Sequence, residues 1–189
     1  MKTDIILAGV GGQGILSIAA VIGLAAVNKG LYIKQAEVHG MSQRGGDVQS
    51  HLRISDSPIA SDLIPIGGAD IILSVEPMES LRYLPYLAPN GWIITNTTPF
   101  INIEGYPSEE DLLAEIKKQK NHIALDADTI AREAGTPKSS NIVILGAASP
   151  YLNIPYESLE QGIRELFGRK GEDIVNANIK ALKAGHDFK

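Results

Sequence analysis

The apolar and polar positions of this chain fall into two periods that alternate along its length. Near the start, Ile5-Ile6-Leu7 is a short apolar run that turns through Gly9-Val10-Gly11-Gly12-Gln13-Gly14. From Ile15 to Asn28 the chain is apolar almost all round, free of proline, and closed by Asn28-Lys29-Gly30. This order predicts strand, glycine turn and helix. In such a unit the first glycine permits the tight turn, the second lets backbone N–H groups approach a ligand, and the third lets helix and strand pack closely. The helix N-terminus then offers unpaired N–H groups and a partial positive charge to an anion. The same glycines can serve helix–strand packing alone.

Leu31 to Glu37 reads as a second strand, and Glu37 lies 23 residues beyond Gly14, where dinucleotide-binding proteins place an acid for the ribose hydroxyl. The next stretch, Val38-His39-Gly40-Met41-Ser42-Gln43-Arg44-Gly45-Gly46, is a polar loop with three glycines and no helical period. Asp47 to Ile54 alternates, with Val48, Ser50, Leu52 and Ile54 on one face and Gln49, His51 and Arg53 on the other. It predicts a strand with a polar face.

Further strands are expected at Ala69–Val75, Trp92–Asn96, after a turn at Pro89-Asn90-Gly91, and His122–Asp126. Helices are expected from Met78 to Leu87 after Glu76-Pro77, from Ser108 with its capping hydroxyl and first-turn acids, up to Gly135, from Pro155 to Phe167, and from Gly171 onward. In the last of these, Ile174, Val175, Asn178, Ile179 and Leu182 share a face that suits the core or a partner. Periodicity leaves Ile142–Ala148 open between strand and buried helix, and the cap candidates Ser139-Ser140-Asn141 favour helix. Strand alternating with helix predicts an α/β fold. We expect a three-layer Rossmann-like domain over residues 1–189, with a mostly parallel sheet and helices on both faces.

Composition narrows the function. A net charge of −5 and a pI near 5.4 argue against a general nucleic-acid binder. No apolar run approaches a bilayer-spanning length and no signal-peptide core is present, so no membrane partner and a cytoplasmic location are expected. The chain has no cysteine, which removes a thiol nucleophile and cysteine-ligated zinc or iron–sulfur sites, and its four histidines have no metal-ligand spacing. Between Lys29 and Arg53, four basic residues (Lys29, Lys34, Arg44, Arg53) face two acids (Glu37, Asp47), a local net of +2 that suits an anion or a plain solvated face. Within it Arg44 is the sharpest candidate, because glycines bring backbone close to a ligand and arginine forks onto phosphate or carboxylate. His39 and His51 read more simply as hydrogen-bonded surface or core groups.

Three motifs together, Gly9-Val10-Gly11-Gly12-Gln13-Gly14, Ala36-Glu37-Val38-His39-Gly40-Met41-Ser42-Gln43-Arg44-Gly45-Gly46 and Ser50-His51-Leu52-Arg53, resemble the gamma-type subunit or domain of 2-oxoacid:ferredoxin oxidoreductases. Within that family the chain is most similar to the beta subunit of the indolepyruvate enzyme. The resemblance runs on through Ala69-Asp70, Glu76-Pro77, Pro89-Asn90-Gly91, Asn141 and Ala184-Gly185. It implies a heteromeric enzyme that decarboxylates an aryl 2-oxoacid, reduces ferredoxin and releases an acyl-CoA. It also implies that thiamine diphosphate and the iron–sulfur clusters sit on a partner alpha subunit, that coenzyme A is the co-substrate, and that this chain alone ligates no cofactor.

On that resemblance the candidate ligand site, for a phosphate or coenzyme A, comprises Gly9, Gly11, Gly12, Gln13, Gly14, Glu37, Ser42, Gln43, Arg44, Gly45 and Gly46, with no catalytic residue and no metal ligand assigned. Two other readings stay open at this point. One is an NAD(P)-dependent dehydrogenase, supported by the glycine motif and Glu37. The other is a non-catalytic nucleotide-binding module. A homodimer is a further option beside the heteromer.

Overall fold

The computed structural model describes residues 1–39 and 45–188. Six strands, Lys2–Val10 (β1), Tyr32–His39 (β2), Asp47–Ser55 (β3), Ala69–Ser74 (β4), Leu87–Asn96 (β5) and His122–Leu125 (β6), form one sheet in the order β2-β3-β1-β4-β5-β6. The helices are Ile15–Asn28 (α1), Pro77–Arg82 (α2), Glu109–Lys117 (α3), Ala127–Glu133 (α4), Ser140–Ala148 (α5), Tyr156–Phe167 (α6) and Glu172–His186 (α7). The pairs β1–β4, β4–β5 and β5–β6 are parallel, whereas β3 runs antiparallel to both its neighbours. Five strands therefore share one direction. The α/β architecture with both faces covered is as expected, but the sheet is mixed, because the β2–β3 hairpin inserts β3 where a crossover would have kept the sheet parallel.

β1 is the axis of the core. Its Ile5 and Leu7 face α1, α5, α6 and α7 together with Leu52, Ile54, Ile71, Leu73 and Ile94, while Ile6 and Ala8 face Ile64, Ile72, Tyr83, Ile93 and Ile116 on the other side. Ile5, Ile6 and Leu7 are fully buried, and each such side chain stabilises the fold by roughly 1.5–3 kcal/mol. α5 and α7 pack backbone to backbone, since a Cβ at Gly146 would meet the Leu182 carbonyl and one at Gly185 the Val143 carbonyl. The apolar stripe of α7 thus covers the core through Val175, Ala181 and Leu182, leaving Ile174 at the surface. The segment 142–148 is helical, as its cap candidates suggest.

Two expected elements differ. The helix expected over Met78–Leu87 stops at Arg82, and Leu84–Tyr86 forms a 3-10 turn, because Pro85 supplies no N–H and disfavours helix in the residue before it. Pro89-Asn90-Gly91 lies inside β5 at a register shift against β4, and Gly91 is required there by the Ala69 carbonyl, 2.8 Å from where a Cβ would sit.

The polar face of β3 is not a solvated one. The segment between β3 and β4 lies over it: Arg53 Nη1 donates to the carbonyls of Ser61 and Leu63, and His51 Nδ1 accepts from the Ile64 N–H at 3.0 Å. Arg53 also forks onto the buried carboxylate of Asp4, at 2.8 and 3.0 Å. Removing one partner of such a pair costs about 3–5 kcal/mol. Arg53 is therefore committed to the fold, and the local positive balance read from the sequence is smaller than its count. No helix among the described residues is long and apolar enough to cross a membrane.

His51 is 4 % exposed, and burial lowers its pKa, helped by the Arg53 guanidinium and opposed by Asp62. Its Nδ1 can accept from Ile64 only when unprotonated, and Tyr86 packs edge-on against the ring. With the folded pKa below the unfolded value of about 6.5, this contribution is full above that value and is lost as pH falls through the folded pKa. Denaturant midpoints should therefore fall between pH 7.5 and 5.5 more steeply in the parent than in His51→Gln. Parallel curves for the two proteins would contradict this assignment.

Candidate functional site

The chain leaves β1 between two neighbours, and that geometry dictates the turn. Gly9 has no room for a side chain, because a Cβ would lie 2.8 Å from Ile15 Cδ1 and closer still to Val75. The turn closes on itself through Gln13, whose N–H donates to the Val10 carbonyl at 3.1 Å and whose Oε1 accepts from the Val10 N–H at 2.8 Å. Gly11 N–H donates to the Gly46 carbonyl at 2.8 Å. The two glycine-bearing loops, far apart in sequence, are thus brought into contact. Gly14 caps α1 in the left-handed region (φ 81°), and Asn141 Nδ2 donates to its carbonyl at 3.0 Å.

The helix termini show a pattern. α2, α3 and α4 are capped by the side chains of Glu76, Ser108 and Asp126 and carry acids in their first turns. α1 and α5 have neither a side-chain cap nor a first-turn acid. Among the described residues the amides of Gly12, Gly14 and Ile15 make no backbone hydrogen bond. Both termini border one cavity of about 520 Å3, lined by Gly12, Gln13, Gly14 and Ser17, by Lys138, Ser139 and Asn141, and by Lys170 and the first turns of α7. The Ser139 side chain is buried, 6 % exposed, with no cap bond and no other partner for its hydroxyl among the described residues. Lys138 and Lys170 are exposed at the rim, the latter with Nζ 5.3 Å from the Phe167 ring centroid, and Asp173 is the one acid lining the cavity. Two helix N-termini without a cap or a first-turn acid, free amides, a hydroxyl and two ammonium groups are a donor set that suits an anion with several oxygens.

The sequence-derived candidates separate accordingly. Gly12, Gln13 and Gly14 line the cavity, Gly9 packs beneath it, and Gly11, Gly45 and Gly46 form the join between the loops, with the Gly45 carbonyl accepting from Asn102. Glu37 sits on the edge strand β2, opposite Ser50 of β3, and β3 separates it from β1. In a dinucleotide-binding domain the strand bearing that acid adjoins β1; here the interposed strand moves it roughly 5 Å farther. Ser42, Gln43 and Arg44 lie outside the described residues. Lys138, Ser139, Asn141 and Lys170 were not legible as ligand groups. The available signal was a serine-rich cap followed by a helix with no first-turn acid.

Residues 4–188 match the pyruvate ferredoxin/flavodoxin oxidoreductase family. The chain belongs to that family. It is 39 % identical to indolepyruvate oxidoreductase subunit IorB of Archaeoglobus fulgidus, over 99 % of this chain and 95 % of that one. It is 30 % identical to the pyruvate/ketoisovalerate oxidoreductases common subunit gamma of Pyrococcus abyssi, over 95 % of each. Its fold is that of pyruvate oxidoreductase subunit PORC from Thermotoga maritima (TM-score 0.73, 21 % identity, 98 % of this chain and 96 % of that one). It also matches 2-oxoglutarate:ferredoxin oxidoreductase from Magnetococcus marinus (TM-score 0.76, 21 % identity), where this chain covers 30 % of the longer chain and is itself covered over 98 %. This family member is thus a subunit of a heteromeric 2-oxoacid:ferredoxin oxidoreductase.

A methyl group at Gly14 would meet both a disfavoured φ and Asn141 Nδ2 at 2.5 Å, whereas one at Gly12 (φ 101°) meets nothing within 4 Å. Backbone strain alone costs roughly 1–2 kcal/mol. Gly14→Ala should therefore lower unfolding free energy by clearly more than Gly12→Ala in denaturant titrations. Equal losses would contradict the Asn141 contact.

Proposed function

We propose that this chain is the coenzyme A-contacting subunit of an aryl 2-oxoacid:ferredoxin oxidoreductase, indolepyruvate being the substrate suggested by its relatives, and that it works in the cytoplasm. Thiamine diphosphate and iron–sulfur clusters belong on this reading to a partner alpha subunit, through which ferredoxin is reduced. A chain without cysteine offers no thiolate for a cluster. When bound, the partner's groups supply the decarboxylation and the electron path. The residues described here bind and orient the acyl acceptor.

The observation that carries the reading is the cavity between the N-termini of α1 and α5, with the unpartnered Ser139 hydroxyl inside it and Lys138 and Lys170 at its rim. That donor set fits the phosphates of coenzyme A, and the Magnetococcus marinus enzyme that shares the fold has coenzyme A bound. A dehydrogenase reading is disfavoured because Glu37 is not beside the glycine turn.

The test is calorimetry on the chain co-expressed with its partner subunit. Coenzyme A and adenosine 3′,5′-bisphosphate should bind, more weakly as salt is raised. Lys170→Glu should weaken both by roughly tenfold, the loss of one charge-assisted contact. Binding of NADH in place of either would contradict the proposal.

A further inference from the structure

We infer that a cavity of about 530 Å3 at the opposite end of the sheet from the glycine turn, where β1, β4 and β5 begin, binds a free α-amino acid with an aromatic side chain. The inference is independent of the coenzyme A reading, because this cavity shares no lining residue with the one between α1 and α5.

Two departures from regular backbone build the space. Where β4 pairs with β5, Ala69 stands opposite Leu87 and Ile71 opposite Trp92, so residues 88–91 bulge against the single residue Asp70. Asn121 Nδ2 holds the bulge by donating to the carbonyls of Asn90 and Gly91, at 3.1 and 3.4 Å. Asn153 takes the left-handed conformation (φ 56°), the one non-glycine residue with positive φ among the described residues. Its Nδ2 donates to Thr3 Oγ1 at 3.0 Å, which fixes the carboxamide and leaves its Oδ1 without a partner among the described residues. Bulges and strained backbone are found where they re-aim groups toward a site. Here both line the same space.

The groups placed there are of three kinds. Asp70 is exposed, its Oδ2 accepts from the Asp4 N–H at 2.8 Å, and no cation pairs with it among the described residues. A carboxylate held at one oxygen and open at the other, with the Asn153 carboxamide in the same lining, suits an ammonium group. Lys2 supplies a cation: its Nζ lies 2.7 Å from Asp4 Oδ2, its side chain is 57 % exposed, and an ammonium keeps further donors for a second carboxylate. Trp92 and Tyr151 are half-buried and stack with ring centroids 4.2 Å apart and planes inclined by 35°, a flat apolar surface for a third ring. A phosphate would meet the unpaired Asp70, and an aliphatic amine would leave both the ring surface and Lys2 unused. A zwitterion with an aromatic side chain meets all three: its ammonium goes to Asp70 and Asn153 Oδ1, its carboxylate to Lys2 Nζ, and its ring to the Trp92–Tyr151 pair. The volume lies within the range of small-molecule sites.

The test is calorimetry on the co-expressed complex with L-tryptophan and three analogues: tryptamine lacks the carboxylate, indole-3-propionate lacks the ammonium, and L-alanine lacks the ring. The parent should bind L-tryptophan, and each analogue at least roughly tenfold more weakly, the loss of one charge-assisted contact or of the stacked ring. Asp70→Asn keeps an acceptor for the Asp4 N–H and removes the charge. It should weaken L-tryptophan by roughly tenfold or more, leave indole-3-propionate unchanged, and leave the melting temperature of the complex at the parent value. Absence of L-tryptophan binding by the parent, or equal binding of all four compounds, would overturn the site. L-Tryptophan binding that Asp70→Asn does not change would also overturn it, since the amino acid would then sit elsewhere in the complex.

Discussion

Everything in this molecule is referred to the end of β1, where a strand buried on both faces must turn in a space that excludes side chains. β3 on one side and β4 on the other leave only Gly9 compatible with Val75 and Ile15. The turn that follows pairs the amides of Val10, Gly11 and Gln13, through Gln13 itself and the Gly46 carbonyl of the neighbouring loop, and leaves those of Gly12, Gly14 and Ile15 without a partner among the described residues. The cost of that crowding is a helix α1 that begins on glycine, without a capping side chain. A helix start left open in this way is also what an anion recognises. Packing constraint and ligand chemistry are therefore one feature of the chain, seen from the inside and from the outside.

The electrostatics follow the same logic. The chain carries a net charge of −5, yet its cavity borders the N-termini of the two helices that have neither a side-chain cap nor a first-turn acid, while the other five helices carry acids in their first turns. Local dipoles decide what binds, and net charge decides only what the molecule as a whole repels. The ion pair of Asp4 and Arg53 belongs to a different task, fastening the segment between β3 and β4 over a face that would otherwise expose polar groups of the sheet.

Much of the fold was legible in local patterns. The glycine turn, α1 and the capped α3 follow from periodicity and caps, which act over a few residues, whereas at 142–148 periodicity leaves strand and helix open and only the cap candidates point to the helix, which forms without a side-chain cap bond. The insertion of β3 between β1 and β2 was not legible, because alternation specifies a strand and its faces but not which strand it pairs with. For the same reason alternation marked a polar face on β3 but not what covers it, the backbone of Ile64, Ser61 and Leu63 bonded to His51 and Arg53. The site divides likewise. Gly12, Gln13 and Gly14 announce themselves by spacing, whereas Lys138, Ser139, Asn141 and Lys170 reach the cavity through tertiary packing of α5 and α7 that no local period encodes.

The central claim is that the open N-termini of α1 and α5 hold the phosphates of coenzyme A while the reaction proceeds on the partner subunit. The most direct measurement is the experimentally determined structure of the co-expressed complex with coenzyme A. The account predicts phosphate oxygens within hydrogen-bonding distance of the Gly12, Gly14 and Ile15 amides and the Ser139 hydroxyl. Coenzyme A phosphates held wholly by the partner subunit, with that cavity occupied by solvent, would contradict it.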